Sequence, residues 1–378
     1  MISMLPRLIL PTETTIKKGS LIRLRFLKGN TALIISGKTS LNASGGLDKI
    51  KSHLTAAGIN AHSFSNVSGD PNIESVLDIA KEMSKVGPDW IIACGGGSVI
   101  DSAKLAWIAY EDPSLKITDF ASPYTLPKLR SKAQFVAIPT TAGTGSEAST
   151  VAVITDMESK TRVPIVSEQF IPDLVVIDPT LTTNLPPDIT VYTAMDAITH
   201  AVESYSSSIS NNLTNAYCTM AGRMIVDNLP LTLTNPDDLE ARERLLYAAM
   251  FAGIAQNMTS VGAVHAISHA MGALTGLSHG LSNAIFLPPI LRYNSDVSPR
   301  PLDFAKEIGF SSLNEFLEWQ VSIMESTKLP TSWHQALGRD ITIDLEDIAS
   351  AALNDICMKT NPRKMDLNDV LSILESTK

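Results

Sequence analysis

The sequence predicts an α/β protein in two parts, an N-terminal half built on a mostly parallel sheet and an all-helical C-terminal half. Three observations carry this prediction. Short β-rich runs alternate with helical periodicity as far as Asp178, the pattern of repeated βαβ units. Beyond Asp178-Pro179 and Leu185-Pro186-Pro187 the strand signals stop and long helical segments follow. Finally, 378 residues exceed what one ordinary core organises, so two domains are expected.

Each element has its own signal. Thr31–Ser36 (TALIIS) is a β-rich run, followed by Gly37 and helical spacing at Leu47, Ile50, Leu54 and Ala57. Ala61–Val67 reads as a second strand. Ile73–Val86 has helical spacing at Ile73, Val76, Leu77, Ala80 and Met83. Trp90–Cys94 is a third strand and leads into Gly95-Gly96-Gly97-Ser98 and a helix. Strands at Phe135–Ile138, Val151–Thr155 and Leu174–Asp178 complete this half. The helical segments are Asp188–Ser206, Leu213–Asn228, Leu239–Met258 and Gly262–Leu274, with shorter ones to the end. These signals divide the chain into residues 1–184 and 185–378.

Composition narrows the function. The 39 acidic and 30 basic side chains leave a formal net charge of −9. Nucleic acid and anionic membrane both require a basic surface, so neither is an expected partner. Cys94, Cys218 and Cys357 form an odd, sparse set without CxxC spacing, which reads as reduced thiols in a cytoplasmic protein. Pro6, Arg7 and Pro11 interrupt the apolar N-terminus, so no signal peptide is expected. No stretch has the length of a membrane span.

Two loops carry the pattern of a dinucleotide site. Glycines after a strand let backbone approach a pyrophosphate, and the free N–H groups at a helix start bind its oxygens. Gly95, Gly96, Gly97 and Ser98 have this arrangement, although it is not the GxGxxG fingerprint. A tight strand-to-helix turn is the alternative for this loop alone. The second loop, Thr140-Thr141-Ala142-Gly143-Thr144-Gly145-Ser146-Glu147, follows another strand. In a parallel sheet such loops line the ligand crevice.

Four of the seven histidines lie between His200 and His279. Asp196 and His200 are four residues apart on one helix, hence on one face, and could share a cation or simply a hydrogen bond. His265 and His269 have the same spacing. His279 follows His265 by fourteen residues, about 21 Å along a continuous helix and too far for one metal. Gly272, Gly276 and Gly280 supply the means for a chain reversal. Spacing alone leaves open whether His265 or His269 is the ligand. A carboxylate with three or four histidines suits a metal cage.

Taken together, Gly95–Asp101, Pro139–Glu147, Asp178–Leu181, Asp196–Glu203 and the run from His265 to Gly280 resemble the iron-containing (group III) alcohol dehydrogenases in order and spacing. The resemblance spans roughly residues 30–290. It implies an N-terminal Rossmann-like dinucleotide-binding domain and a C-terminal helical metal-binding domain. It assigns Asp196, His200, His265 and His279 as metal ligands and places His269 beside the reacting centre, near the nicotinamide. It gives Gly95, Gly96, Gly97 and Ser98 to the pyrophosphate, and Thr140, Thr141 and Thr144 to the adenine and ribose side. Asp101, Lys160 and Leu181 fall where the family also lines the cofactor. Fe(II) is the implied metal, with Zn(II) able to use the same donors, and a homodimer is the implied assembly.

The implied chemistry is a metal-dependent alcohol dehydrogenase or aldehyde reductase. It transfers a hydride between NADP or NAD and a small alcohol or aldehyde, with His269 as the proton carrier. A zinc polyol dehydrogenase of the glycerol dehydrogenase type is the nearest rival. A lyase resembling dehydroquinate synthase should need a basic cluster, which is not found near these motifs, and a metal-storage module would not need two cofactor loops. Many NAD-preferring relatives carry an aspartate after the first strand, at the place of Gly37. The glycine, with Lys38, Thr39 and Ser40 beyond it, leaves room for a 2′-phosphate, and NADPH is the expected preference.

Overall fold

The computed structural model describes residues 7–67, 69–120, 125–156, 161–338 and 343–378. Its first half contains β1 (Glu13–Ile16), β2 (Thr31–Gly37), α1 (Ser40–Ala43), α2 (Gly46–Ala56), β3 (Asn60–Val67), α3 (Ile73–Val86), β4 (Trp90–Gly95) and α4 (Gly97–Glu111). It continues with β5 (Gln134–Pro139), β6 (Val151–Asp156), β7 (Thr161–Val166) and β8 (Leu174–Ile177). The run Trp-Ile-Ile-Ala-Cys-Gly of β4 is buried along its whole length, as a strand covered on both faces must be.

Six strands make one sheet in the order β1-β8-β5-β4-β2-β3, and every adjacent pair is parallel. Their carboxyl ends therefore share one edge. The register sets Ser36 beside Cys94, and Gly95 beside Pro139, so the loops after β2, β4 and β5 emerge side by side. On one face Ile34, Ile92, Ile138 and Val176 pack with Leu47, Ile50 and Leu54 of α2. Full burial of each such side chain contributes about 1.5–3 kcal/mol, which fixes the sheet edge the loops stand on.

Two strand assignments change. Val151–Thr155 is not in the parallel sheet, because β6 pairs antiparallel with β7 in a separate two-stranded sheet. A Val-Ala-Val-Ile run reads alike in either setting. Its docking on α4 decides the matter, where Asp101 accepts the Val153 N–H at 3.0 Å. β1 had no readable signal in four residues, and its pairing with β8 creates it.

The second half is helical: α5 (Pro187–Ser206), α6 (Asn212–Thr234), α7 (Leu239–Thr259), α8 (Ala263–Thr275), α9 (His279–Ser295), α10 (Arg300–Glu307), α11 (Leu313–Ser326), α12 (Trp333–Leu337), α13 (Leu345–Asn354) and α14 (Leu367–Ser376). α5 is buried nearly all round from Thr190 onward, the mark of a central helix. α6 and α9 pack on it, and α8 packs on α9 and α13. α8 ends at Gly276 with a left-handed φ of 79°, and α9 starts three residues later. A Cβ on Gly280 would lie 2.3 Å from the Tyr192 carbonyl oxygen. Only glycine lets the first turn of α9 come this close to α5.

The chain divides into two compact units, Ile9–Leu185 with Pro236–Leu246, and Pro186–Asn235 with Tyr247–Lys378. The sequence assigns Pro236–Leu246 to the helical part. From Leu239 this segment is the start of α7, whose helical pattern continues unbroken to Thr259, so periodicity gives no sign that it groups elsewhere. Among the described residues no helix is long and apolar enough to cross a membrane.

Candidate metal centre and cofactor loops

Three helices of the second unit bring the acid and histidines together. Asp196 and His200 project from one face of α5, His265 from α8 and His279 from the first turn of α9. Asp196 Oδ1 lies 3.8 Å from His200 Nδ1, 3.7 Å from His265 Nε2 and 3.4 Å from His279 Nε2. Donor atoms of Asp196, His200 and His265, all buried, lie within 4.8 Å of one another. The predicted reversal at Gly276 therefore exists and returns His279 to Asp196.

His265 and His269 stand in different surroundings. His265 Nδ1–H donates to Glu203 Oε2 at 2.6 Å, while the other Glu203 oxygen accepts the Val264 N–H at 2.7 Å. A carboxylate only accepts, so Nδ1 carries a proton, and Nε2 is the nitrogen that faces Asp196. His269 Nδ1 is bonded instead to Asp355 Oδ2 at 2.8 Å. Its ring stacks on His279 with centroids 5.2 Å apart.

The electrostatics fit a cation. Burial pushes the Asp196 carboxyl up, but the surrounding His200, His279 and His265 hold it well below the usual carboxylate range. Burial pushes His200 down to about 3, so it is a neutral imidazole at physiological pH, the form a metal requires. Burial alone would lower His265, yet Asp196 and Glu203 outweigh it and lift it to about 9. His200 Nδ1 is buried without a hydrogen-bond partner. A buried carboxylate that draws positive charge, beside a neutral imidazole with an unused nitrogen, is a donor set suited to a divalent ion.

The cofactor candidates lie in the other unit, along the shared strand edge. Thr140 N–H donates to Gly95 carbonyl at 3.0 Å, and a Cβ on Gly97 would meet Thr144 Cγ2 at 2.5 Å. The loops after β4 and β5 thus pack directly on each other. No side chain caps α4 at Gly96, which leaves its first-turn N–H groups suited to an anion. Gly37 ends β2, and a Cβ there would meet nothing closer than the Val67 carbonyl at 3.8 Å. Lys38 and Thr39 beyond it are exposed.

Asp101 and Leu181 occupy different surroundings. Asp101 accepts from Ser146 Oγ and from the Val153 N–H, so both its oxygens are engaged in holding the loop. Leu181 is buried in the hydrophobic cluster, near Gly46. Lys160 lies outside the described residues.

Comparison with known proteins agrees with this arrangement. Residues 11–179 match the iron-containing alcohol dehydrogenase family, and residues 190–378 match the Fe-containing alcohol dehydrogenase family, C-terminal. The chain belongs to the iron-containing alcohol dehydrogenase family. It is 35% identical to an NADPH-dependent butanol dehydrogenase of Clostridium saccharobutylicum, over 98% of this chain and 97% of that one. It is 33% identical to a 1,3-propanediol dehydrogenase of Citrobacter freundii, over 93% and 92%. The solved structure of a 1,3-propanediol oxidoreductase has a TM-score of 0.90 at 31% identity, covering 99% of this chain and 100% of that one.

Further residues of this iron-containing alcohol dehydrogenase family member border the candidate sites. Glu203 had a signal, since it sits seven residues after Asp196 on the same helix. Asn283 follows His279 by one turn. Its Nδ2 donates to Asp196 Oδ1 at 2.8 Å and lies 3.3 Å from His279 Nε2. Lys104 is fully buried and donates to the carbonyls of Ser146 and Ser149 at 2.7 and 2.8 Å, stapling the second loop to α4. Burial pushes its ammonium down to about 8. Asp355 had no local signal at all, 86 residues from His269.

Proposed function

We propose that this alcohol dehydrogenase interconverts small aldehydes and primary alcohols with NADPH, at a divalent metal held by Asp196, His200, His265 and His279. The observation that carries this reading is the convergence of three imidazoles from three helices within 3.8 Å of one buried carboxylate oxygen. Iron(II) is the proposed ion, and zinc(II) would accept the same donors. Such an ion supplies Lewis acidity towards an alcohol or aldehyde oxygen, and the nicotinamide supplies or takes the hydride.

The chain's own residues do the rest. Asp196 neutralises part of the cation charge, and Glu203 fixes the His265 tautomer so that Nε2 is the ligating atom. Asn283 orients the Asp196 carboxylate through its amide hydrogen bond. His269 carries the proton of the alcohol hydroxyl through Nε2. Gly95, Gly96, Gly97 and Ser98 receive the pyrophosphate, and Thr140, Thr141 and Thr144 the adenosine side. NADPH is favoured because Gly37 leaves open space where a carboxylate would repel a 2′-phosphate, and because one relative is named NADPH-dependent.

Elemental analysis of the purified protein, with turnover of an aldehyde panel using NADPH and NADH, tests this reading. One metal per chain and NADPH-dependent reduction of short aldehydes are expected. Metal-independent turnover would overturn it.

A further inference from the structure

Two histidines one turn apart on α8 are built alike. His265 gives its Nδ1–H to Glu203 from α5, and His269 gives its Nδ1–H to Asp355 from the end of α13. The first arrangement aims Nε2 at Asp196. The second leaves Nε2 as the His269 nitrogen without a hydrogen bond among the described residues. We propose that Asp355 is a positioning residue for His269, fixing its tautomer and ring plane so that Nε2 is the atom offered to the substrate proton. This deepens the proposed function and rests on the His269 role stated there.

Asp355 is itself held in place. It is the N-cap of the short helix Ile356–Thr360, where Oδ1 accepts the Cys357 N–H at 2.8 Å. One oxygen is committed to backbone and the other to His269, so the carboxylate cannot turn away. The pair is largely withdrawn from water, with 13% of the His269 side chain and 10% of the Asp355 side chain exposed. On its other side the imidazole lies against His279, with only 13° between the ring planes. A ring gripped by a carboxylate at Nδ1 and stacked on a neighbour has one accessible orientation. Without the carboxylate, either nitrogen could carry the proton, and the productive tautomer would be only one of two. Cys357 brings a thiol to the same cluster, but burial pushes that thiol up and leaves it a neutral neighbour.

The test is a double-mutant cycle on the metal-loaded enzyme, with His269→Ala, Asp355→Asn and the double variant. Asp355→Asn keeps shape and removes the obligate acceptor. Metal content by elemental analysis should match the wild type in all three. Each single variant should lower kcat by about 100-fold, at the lower end of what general acid–base catalysis contributes. KM for the coenzyme should stay within about twofold, and the double variant should be no slower than His269→Ala within the same margin. A residue acting only on folding or metal binding would instead lower kcat or metal content equally with and without His269, and that result overturns the proposal. If His269→Ala is slow but Asp355→Asn is not, the His269 role stands and the positioning role falls. If His269→Ala turns over at the wild-type rate, both fall. Should Asp355→Asn not fold, Asp355→Glu, which keeps the carboxylate, is run through the same cycle with the same expected loss of effect in the His269→Ala background.

Discussion

The proposed metal centre and the proposed cofactor loops would solve the same problem, holding a charged group, with opposite means. The centre is made of side chains. Asp196, His200, His265 and His279 come from three helices, and Glu203 orients one of them from behind. The proposed cofactor edge is made of backbone, with glycines and an uncapped helix start presenting N–H groups, while the buried Lys104 and Asp101 hydrogen-bond to the second loop and to β6. A side-chain site fails when one residue is lost. A backbone site should tolerate the loss of most single side chains and respond mainly to changes of space or charge.

The sharpest test of this contrast is the cage itself. His265→Ala or His279→Ala should remove most of the metal. Turnover should fall on the order of a thousandfold, the several kcal/mol that a Lewis acid contributes. His269→Ala should keep its metal. If elemental analysis finds His279→Ala fully loaded, the cage does not depend on single side chains. If His265→Ala keeps metal while His269→Ala loses it, the two roles are exchanged.

Glu203→Gln should weaken metal affinity by about 10–100-fold, as removal of outer hydrogen-bond partners does, and chelator titration followed by dialysis reads this directly. By contrast, Thr144→Ala in the cofactor loop should change coenzyme KM by less than about tenfold, since it removes one neutral hydrogen bond. Equal losses in the two variants would break the comparison.

At the strand edge, charge should matter more than contact. Gly37→Asp fits the open space and should shift the ratio of specificity constants from NADPH towards NADH by about 1–3 kcal/mol, the cost of setting a carboxylate against a phosphate. Steady-state kinetics with both coenzymes decide it. A wild type that strongly prefers NADH, with no change in the variant, would remove the cofactor assignment.

The smallest effect separates the two regions by pH. In the helical unit Asp355 is held down at about 2, because the hydrogen bond and charge of His269 and the Cys357 N–H overcome its burial. Its folded pKa lies below the unfolded value, so it stabilises the fold above pH 4, and this contribution is lost as pH falls towards 2. In the cofactor unit burial pushes Glu147 up to about 7. Its folded pKa lies above the unfolded value near 4.5, so stability declines as pH rises between the two. Glu147→Gln should therefore raise Tm at pH 8 by roughly 2–4 °C and by less at pH 5. An equal gain at both values, measured by scanning calorimetry, would show that Glu147 does not titrate in this window.

How much of this was readable in advance follows the same division. Local chemistry is written in sequence spacing. Asp196 and His200 on one helical face, the glycines after β4 and the hydroxyl-rich loop after β5 were all visible, because each pattern needs only a few neighbouring residues. The parallel order was legible as alternation, although Val151–Thr155 went to the wrong sheet, since an apolar run does not say what it pairs with. Tertiary packing decided what lies across long separations. It set His265 Nε2 3.7 Å from Asp196 and held His269 against Asp355. It returned His279 to Asp196 because Gly280 lets α9 touch the Tyr192 carbonyl, and it turned Asp101 inward as a loop anchor. Periodicity fixes which face of a helix a residue occupies. Only the assembled fold determines which atom meets it there.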